Sequence, residues 1–422
     1  MRQSGRFFIL CFTAMLAGCA TREPLSAAKP VHPAAAYGQA GLLAETVEFL
    51  HRNYVDGEQA GYDRLFTAAL KGMMRELDPY SGYEPPAEFV VNEQARTGEH
   101  TGIGIEAVKE EGAPLLITAV VPDSPADKAG ILPGERIFRI DGKAVDALPL
   151  EECMKRIRGP VGSELALELL ASDGKSSRTA PVRRERIIRS SAPAEAAHPI
   201  DGDIGYLRIT SFNSHTPEEA EKALKKLREE GMSRGLVIDL RNNPGGLVDG
   251  AAKTASLFLP DGSVLFSARH RNSAEPQIVR STAGKYREEE LPVVILMNPF
   301  TASAAELFSG ALRDHGRAKL VGMRSFGKGT LLQVLPLKNG GALRFAAGRY
   351  LTPEGHVIEG QGLRPDVPVE LELPQLWKLS AQLMREPGVV LPGRKGAVRD
   401  VQLEAALKLL PGRSDAEQLQ HE

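Results

Sequence analysis

The chain has 422 residues, with 52 basic and 54 acidic side chains and a formal net charge of -2. That length can bury two or three modest cores, and the near-neutral balance excludes the global basic signature of a nucleic-acid binder. Of the three cysteines, Cys11 lies in an apolar leader, Cys19 closes that leader, and Cys153 is left alone, which excludes an intrachain disulfide framework.

Arg2 and Arg6 precede the apolar run 7–16, which is too short to span a bilayer and reads as a secretory signal over residues 1–18. Residues 19–40 are rich in Ala, Pro and Ser without apolar periodicity, as expected of a flexible tether. Between Leu42 and Leu77 apolar residues recur at helical spacing on either side of Asp56-Gly57, predicting two helices in an N-terminal helical unit over 41–96. Short strand-like runs then alternate with Gly and Pro turns, among them Leu115-Leu-Ile-Thr-Ala-Val-Val121 and Glu164-Leu-Ala-Leu-Glu-Leu-Leu170, so that 97–185 reads as a mostly β domain. Strand and helix signals alternate over 186–372 and predict an α/β (α+β) core. Residues 373–422 form a helical extension with one amphipathic stretch that places Leu403, Ala406, Leu407 and Leu410 on one face.

Serine needs a base within hydrogen-bond reach and donors aimed at the developing oxyanion before it can act as a nucleophile. Ser303, in Asn298-Pro-Phe-Thr-Ala-Ser303-Ala-Ala-Glu-Leu307, stands at an expected strand-to-helix junction. There the unpaired amides and the helix dipole favour negative charge and make Ala304 N a natural donor. A second donor is expected from Gly245 or Gly246, in the turn Asp239-Leu-Arg-Asn-Asn-Pro-Gly-Gly246. Lys328, in Ser325-Phe-Gly-Lys328-Gly-Thr330, is the candidate base. It must be neutral to accept a proton, and burial beside Phe326 and Leu332 is the expected means of lowering its pKa. The nine histidines form no nucleophile or metal motif, so no metal or cofactor is expected.

The β domain opens with His100-Thr-Gly-Ile-Gly-Ile105 and continues with Ser124-Pro-Ala-Asp-Lys-Ala-Gly130 and Gly134-Glu-Arg-Ile-Phe-Arg-Ile-Asp-Gly142. It resembles a PDZ domain. The resemblance implies that the backbone of Gly102, Ile103, Gly104 and Ile105 receives the carboxylate of a peptide with an apolar C-terminus. Leu16-Ala-Gly-Cys19 likewise resembles the bacterial lipobox, which implies lipidation of Cys19 and an envelope location with membrane contact through a lipid anchor only. Ala20 in the following position points to the periplasmic face of the outer membrane if the organism is Gram-negative.

From about Leu42 to Leu410 the chain resembles the carboxyl-terminal processing (tail-specific) proteases. The resemblance rests on Tyr54-Val-Asp56, Leu77-Asp-Pro-Tyr-Ser-Gly-Tyr83, the PDZ segments, the Asp239, Ser303 and Lys328 segments, and Leu351-Thr-Pro-Glu-Gly-His-Val-Ile-Glu-Gly-Gln-Gly362 with Pro365-Asp366. It implies a PDZ domain inserted between the helical unit and the α/β core, Ser303 as nucleophile, Lys328 as base, and protein substrates cut near their C-termini. An adaptor lipoprotein is a further candidate partner, and the oligomeric state is left open. Two departures stand out. The family commonly has a Gln four residues after the lysine, where this chain has Leu332; Gln333 comes one residue later and on a regular strand would face away unless a bulge restores it. Tyr80 replaces a common His and is assigned to the helical unit rather than to the nucleophile. The main expectation is a serine endopeptidase slowed by the missing amide; the alternative is a catalytically impaired, peptide-binding lipoprotein.

Overall fold

A computed structural model describes residues 33–412 except 98, 111, 122, 173, 189, 195–196, 272, 285 and 386–397. The signal segment and Cys19 lie outside the described residues. The chain divides into two compact units, residues 1–66 and 67–422.

In the first unit a helix spans Pro33–Asn53. It therefore includes residues 33–40, which composition alone assigns to the tether. Alanine gives no apolar periodicity but is the strongest helix former, so an Ala-rich segment can be helical without a periodic signal. Gly57–Ala60 forms a short 3-10 turn, and His51 stacks on Tyr62 with ring centroids 4.1 Å apart.

The second unit carries three sheets relevant to the site. The first, in spatial order, runs His198–Ile200, Ile204–Arg208, Gly235–Asp239, Val293–Met297, Ala318–Gly322, Val367–Pro368, parallel throughout except for its first strand. Its central strands are mostly apolar and buried on both faces, as a parallel sheet requires, with Arg208 and Asp239 as buried charges at their C-terminal ends. Helices Thr216–Glu229, Val248–Ala255 and Ala304–Asp314 contribute Leu224, Leu227, Ala251, Leu307, Phe308 and Leu312 to the core on one face. Helix Val401–Leu407 covers the other face with Leu403 and Ala406, joined by Leu410. The amphipathic stretch near the C-terminus thus closes the second face of the sheet.

The second sheet is antiparallel. Strand Ala342–Leu351 pairs on one edge with Thr330–Pro336 and on the other with both Gly82–Glu84 and Val264–His270. The third sheet belongs to the β domain, in the order Ile105–Val108, Leu115–Val120, Arg136–Ile140, Glu164–Leu170, Ser177–Arg183. Strands Glu99–Gly102 and Glu185–Ile188 pair antiparallel where the chain enters and leaves that domain, the arrangement expected of an insertion whose ends are adjacent.

Candidate active site

Ser303 and the turn after Asp239 both follow the C-terminal ends of adjacent parallel strands, where open α/β sheets place their ligands. The two loops are tied together. Asn298 Nδ2 donates to Asn242 Oδ1 (2.8 Å), Asn242 N to Asn298 Oδ1 (3.1 Å), Thr301 Oγ1 to Leu240 O (2.8 Å) and Ala302 N to Asn243 O (3.0 Å). Beneath them Asp239 is fully buried against Arg241, which also pairs with Asp400 at 2.8 Å, while Tyr206 donates to Asp239 at 2.7 Å. The C-terminal helix is thereby fastened under the loop. Burial pushes the Asp239 pKa up, but the Arg241 guanidinium, the Arg208 charge and the Tyr206 hydroxyl together outweigh it and hold the carboxyl below its ordinary value.

Ser303 is the N-cap of helix Ala304–Asp314 and has φ 56° and ψ -120°. A non-glycine residue in that region stores on the order of 1–3 kcal/mol of strain, and such strain recurs at the sharp turns that project nucleophiles. Ala304 N and Gly246 N form no hydrogen bond with the described residues, whereas Gly245 N is taken by Asn243 Oδ1 at 2.8 Å. Of the two glycines proposed as donors, Gly246 therefore has the available amide. Gly245 instead permits close approach. At φ +100° it lies so near the serine that a Cβ there would stand 2.8 Å from Ser303 Cβ and 2.9 Å from Ala304 N.

Glu306, one turn into the helix and fully buried, is a site residue that sequence reasoning passed over. Its Oε2 accepts from Ser303 N (2.8 Å) and Lys328 N (2.8 Å), and its Oε1 from Gly327 N (2.7 Å) and Ser325 Oγ (2.5 Å). One carboxylate oxygen thus holds the backbones of both candidate dyad residues. Burial pushes the Glu306 pKa up, while the Ser325 hydroxyl and the three amides pull it down without cancelling the rise. The capping-box pattern Ser303…Glu306 was available in the sequence as the signal.

Lys328 is half-buried. Burial first, and the positive charge of Arg344 next, lower its pKa, with Glu359 acting in the opposite sense. Phe326, expected to shield the lysine, is 54% exposed. No hydrogen bond joins Lys328 Nζ to Ser303 Oγ. Instead, Nζ lies over the Tyr80 ring, 4.6 Å from its centroid. The assignment of Tyr80 away from the site is therefore corrected: it belongs to the second unit and faces the lysine, because the turn that carries it is bonded to strand Ala342–Leu351.

The register between Thr330–Pro336 and its partner shifts between Leu331 and Leu332, pairing Leu331 with Gly348 and Leu332 with Ala346. The extra residue is Ala347, on the partner strand. The strand after Lys328 carries no inserted residue of its own, and Gln333 is exposed without a hydrogen bond to the lysine.

In the β domain, Ile103 is buried and its carbonyl accepts from Ala126 N (2.8 Å), while Gly104 O accepts from Val121 N (2.8 Å). Gly104 has φ +83°, and a Cβ there would stand 2.3 Å from Ser124 Cβ. Gly102 ends one strand and Ile105 begins the edge strand Ile105–Val108, which among the described residues pairs on one side only. Among the described residues the grouping with metal-ligand spacing is Asp314, Glu354 and His356; Arg313, 2.7 Å from Asp314, competes for that carboxylate.

Sequence comparison matches the profile described as Peptidase family S41 to residues 203–369 and that of the PDZ domain to residues 91–170. A carboxy-terminal-processing protease of Bartonella bacilliformis is 35% identical over 318 residues, covering 75% of this chain and 72% of that protein. A CtpA-like serine protease of Staphylococcus haemolyticus is 35% identical over 321 residues, 76% of this chain but 62% of that protein. An S41-type crystal structure from Bacteroides fragilis shares the fold at 18% identity, with a TM-score of 0.50 over 86% of this chain and 96% of its own.

Proposed function

Because the chain belongs to peptidase family S41 and carries a PDZ domain like the C-terminal processing serine proteases, we propose that it cleaves proteins near their C-termini by a Ser303/Lys328 mechanism. Neutral Lys328 accepts the Ser303 proton as Oγ attacks the scissile carbonyl, and the amides of Ala304 and Gly246 hold the oxyanion. Collapse of the tetrahedral species breaks the C–N bond, and Lys328 returns the proton to the departing amine. Water, deprotonated by Lys328, then hydrolyses the ester, releases the new carboxylate and restores Ser303.

The observation that carries this reading is the shared Glu306 oxygen, which fixes Ser303 and Lys328 together next to an unpaired Ala304 amide. The PDZ domain would capture an apolar C-terminus on the Gly102–Ile105 backbone and the open strand edge beside it. Cleavage of an unfolded reporter with an apolar C-terminus tests the proposal. Ser303→Ala should lower the rate by on the order of 10^6-fold, and a variant cutting at a comparable rate would defeat it.

The missing Ser303–Lys328 hydrogen bond favours a second reading, a peptide-binding protein with impaired catalysis. Reporter binding without cleavage or fluorophosphonate labelling of Ser303 would select it. Envelope anchoring through Cys19 is proposed from the lipobox-like segment alone; palmitate labelling that survives Cys19→Ser would refute it.

A further inference from the structure

The lysine–tyrosine contact takes no part in the steps above. We propose that Tyr80 is a positioning residue for Lys328: its ring face orients the amine and stabilises the ammonium formed when Lys328 takes the serine proton. It would thereby fill the role left open by Leu332. The inference rests on the Ser303/Lys328 reading.

The Lys328 nitrogen stands 4.6 Å from the Tyr80 centroid, within cation–π range. The turn that carries the ring is held on several sides. Asp78 Oδ1 accepts from Tyr80 N (2.8 Å) and Ser81 N (2.7 Å), Asp78 Oδ2 accepts from Ser81 Oγ (2.6 Å), and Ser81 Oγ accepts from Ala346 N (3.2 Å). Strand Gly82–Glu84 then pairs with strand Ala342–Leu351, whose other edge pairs with the strand that begins two residues after Lys328. Tyr80 and Lys328 are thus fixed from opposite sides of one strand.

A π face attracts the ammonium far more than the neutral amine, so the contact strengthens as the proton moves to Lys328. The charged groups acting on Lys328 are Arg344 on the shared strand and Glu359 on the following loop; Glu359, Glu306 and Asp78 act on Tyr80. Among these only Glu359 favours the ammonium at the lysine, and it is already engaged by Thr330 Oγ1 at 2.6 Å.

The test measures the pH dependence of reporter cleavage, and of fluorophosphonate labelling of Ser303, in the full chain and its Tyr80→Phe, Tyr80→Leu and Ser303→Ala forms. Tyr80→Phe keeps the ring face and should retain activity. Tyr80→Leu should lower the plateau roughly 2- to 30-fold. It should also move the acid limb to lower pH, because the ammonium loses its stabiliser; a packing role alone would not move that limb in this sense. An unchanged plateau and limb in Tyr80→Leu, or damage in Tyr80→Phe equal to that in Tyr80→Leu, would overturn the inference while the dyad stands. Cleavage that survives Ser303→Ala would overturn the dyad reading and this inference with it.

Discussion

The two halves of the candidate dyad are built in different ways. Ser303 is fixed by backbone: a strained φ at a helix N-cap, a helix whose first residues are wholly buried, and a neighbouring turn packed against its Cβ. Lys328 is fixed by backbone only as far as its amide, and its amine depends on side chains from distant elements, Tyr80, Arg344 and Glu359. A nucleophile can thus be specified by a short segment, whereas the protonation and aim of its base are tertiary properties.

That contrast can be broken first on the serine side. Gly245→Ala forces a Cβ to 2.8 Å from Ala302 O and Ser303 Cβ at φ +100°. It should displace the Ala304 amide and cost about 10²- to 10³-fold in kcat, read by steady-state cleavage. Glu306→Gln tests the element common to both halves. Replacing an acceptor-only carboxylate with an amide opposes at least one of four donors. About 2 kcal/mol of stability in urea unfolding and on the order of 10²-fold in kcat/KM should be lost together.

Substitutions on the lysine side should move pH profiles more than folds. Arg344 disfavours the Lys328 ammonium, so Arg344→Met should raise the lysine pKa and shift the acid limb of kcat/KM to higher pH. Glu359→Gln removes a group that favours the ammonium and should shift the limb to lower pH. Equal shifts in one direction would break the comparison. Leu332→Gln should have the smallest effect, a gain of a few-fold in kcat as a second orienting group is added beside Tyr80. No gain would mean that the ring already suffices.

Much of this arrangement was legible in the sequence, and the remainder was not for identifiable reasons. Ser303, Ala304 and the Gly245-Gly246 turn lie in two short segments whose strand-to-helix transitions are local signals. The buried face of Leu403, Ala406 and Leu410 followed from helical periodicity. Tyr80 is 328 − 80 = 248 residues from Lys328, and only the pairing of two strands with opposite edges of a third brings them together. The bulge at Ala347 sits on the strand opposite the one on which Gln333 would need it. Asn243 capping Gly245 N is a turn-scale hydrogen bond that leaves Gly246 as the candidate donor, beyond what a Gly-Gly pair can reveal.

The most direct test is the rate of fluorophosphonate labelling of Ser303 across pH in the full chain and in Lys328→Met. The account predicts labelling that rises through one limb with its midpoint below the ordinary lysine range, and loss of both limb and rate in Lys328→Met. The same rate and pH dependence in Lys328→Met would show that Lys328 is not the base.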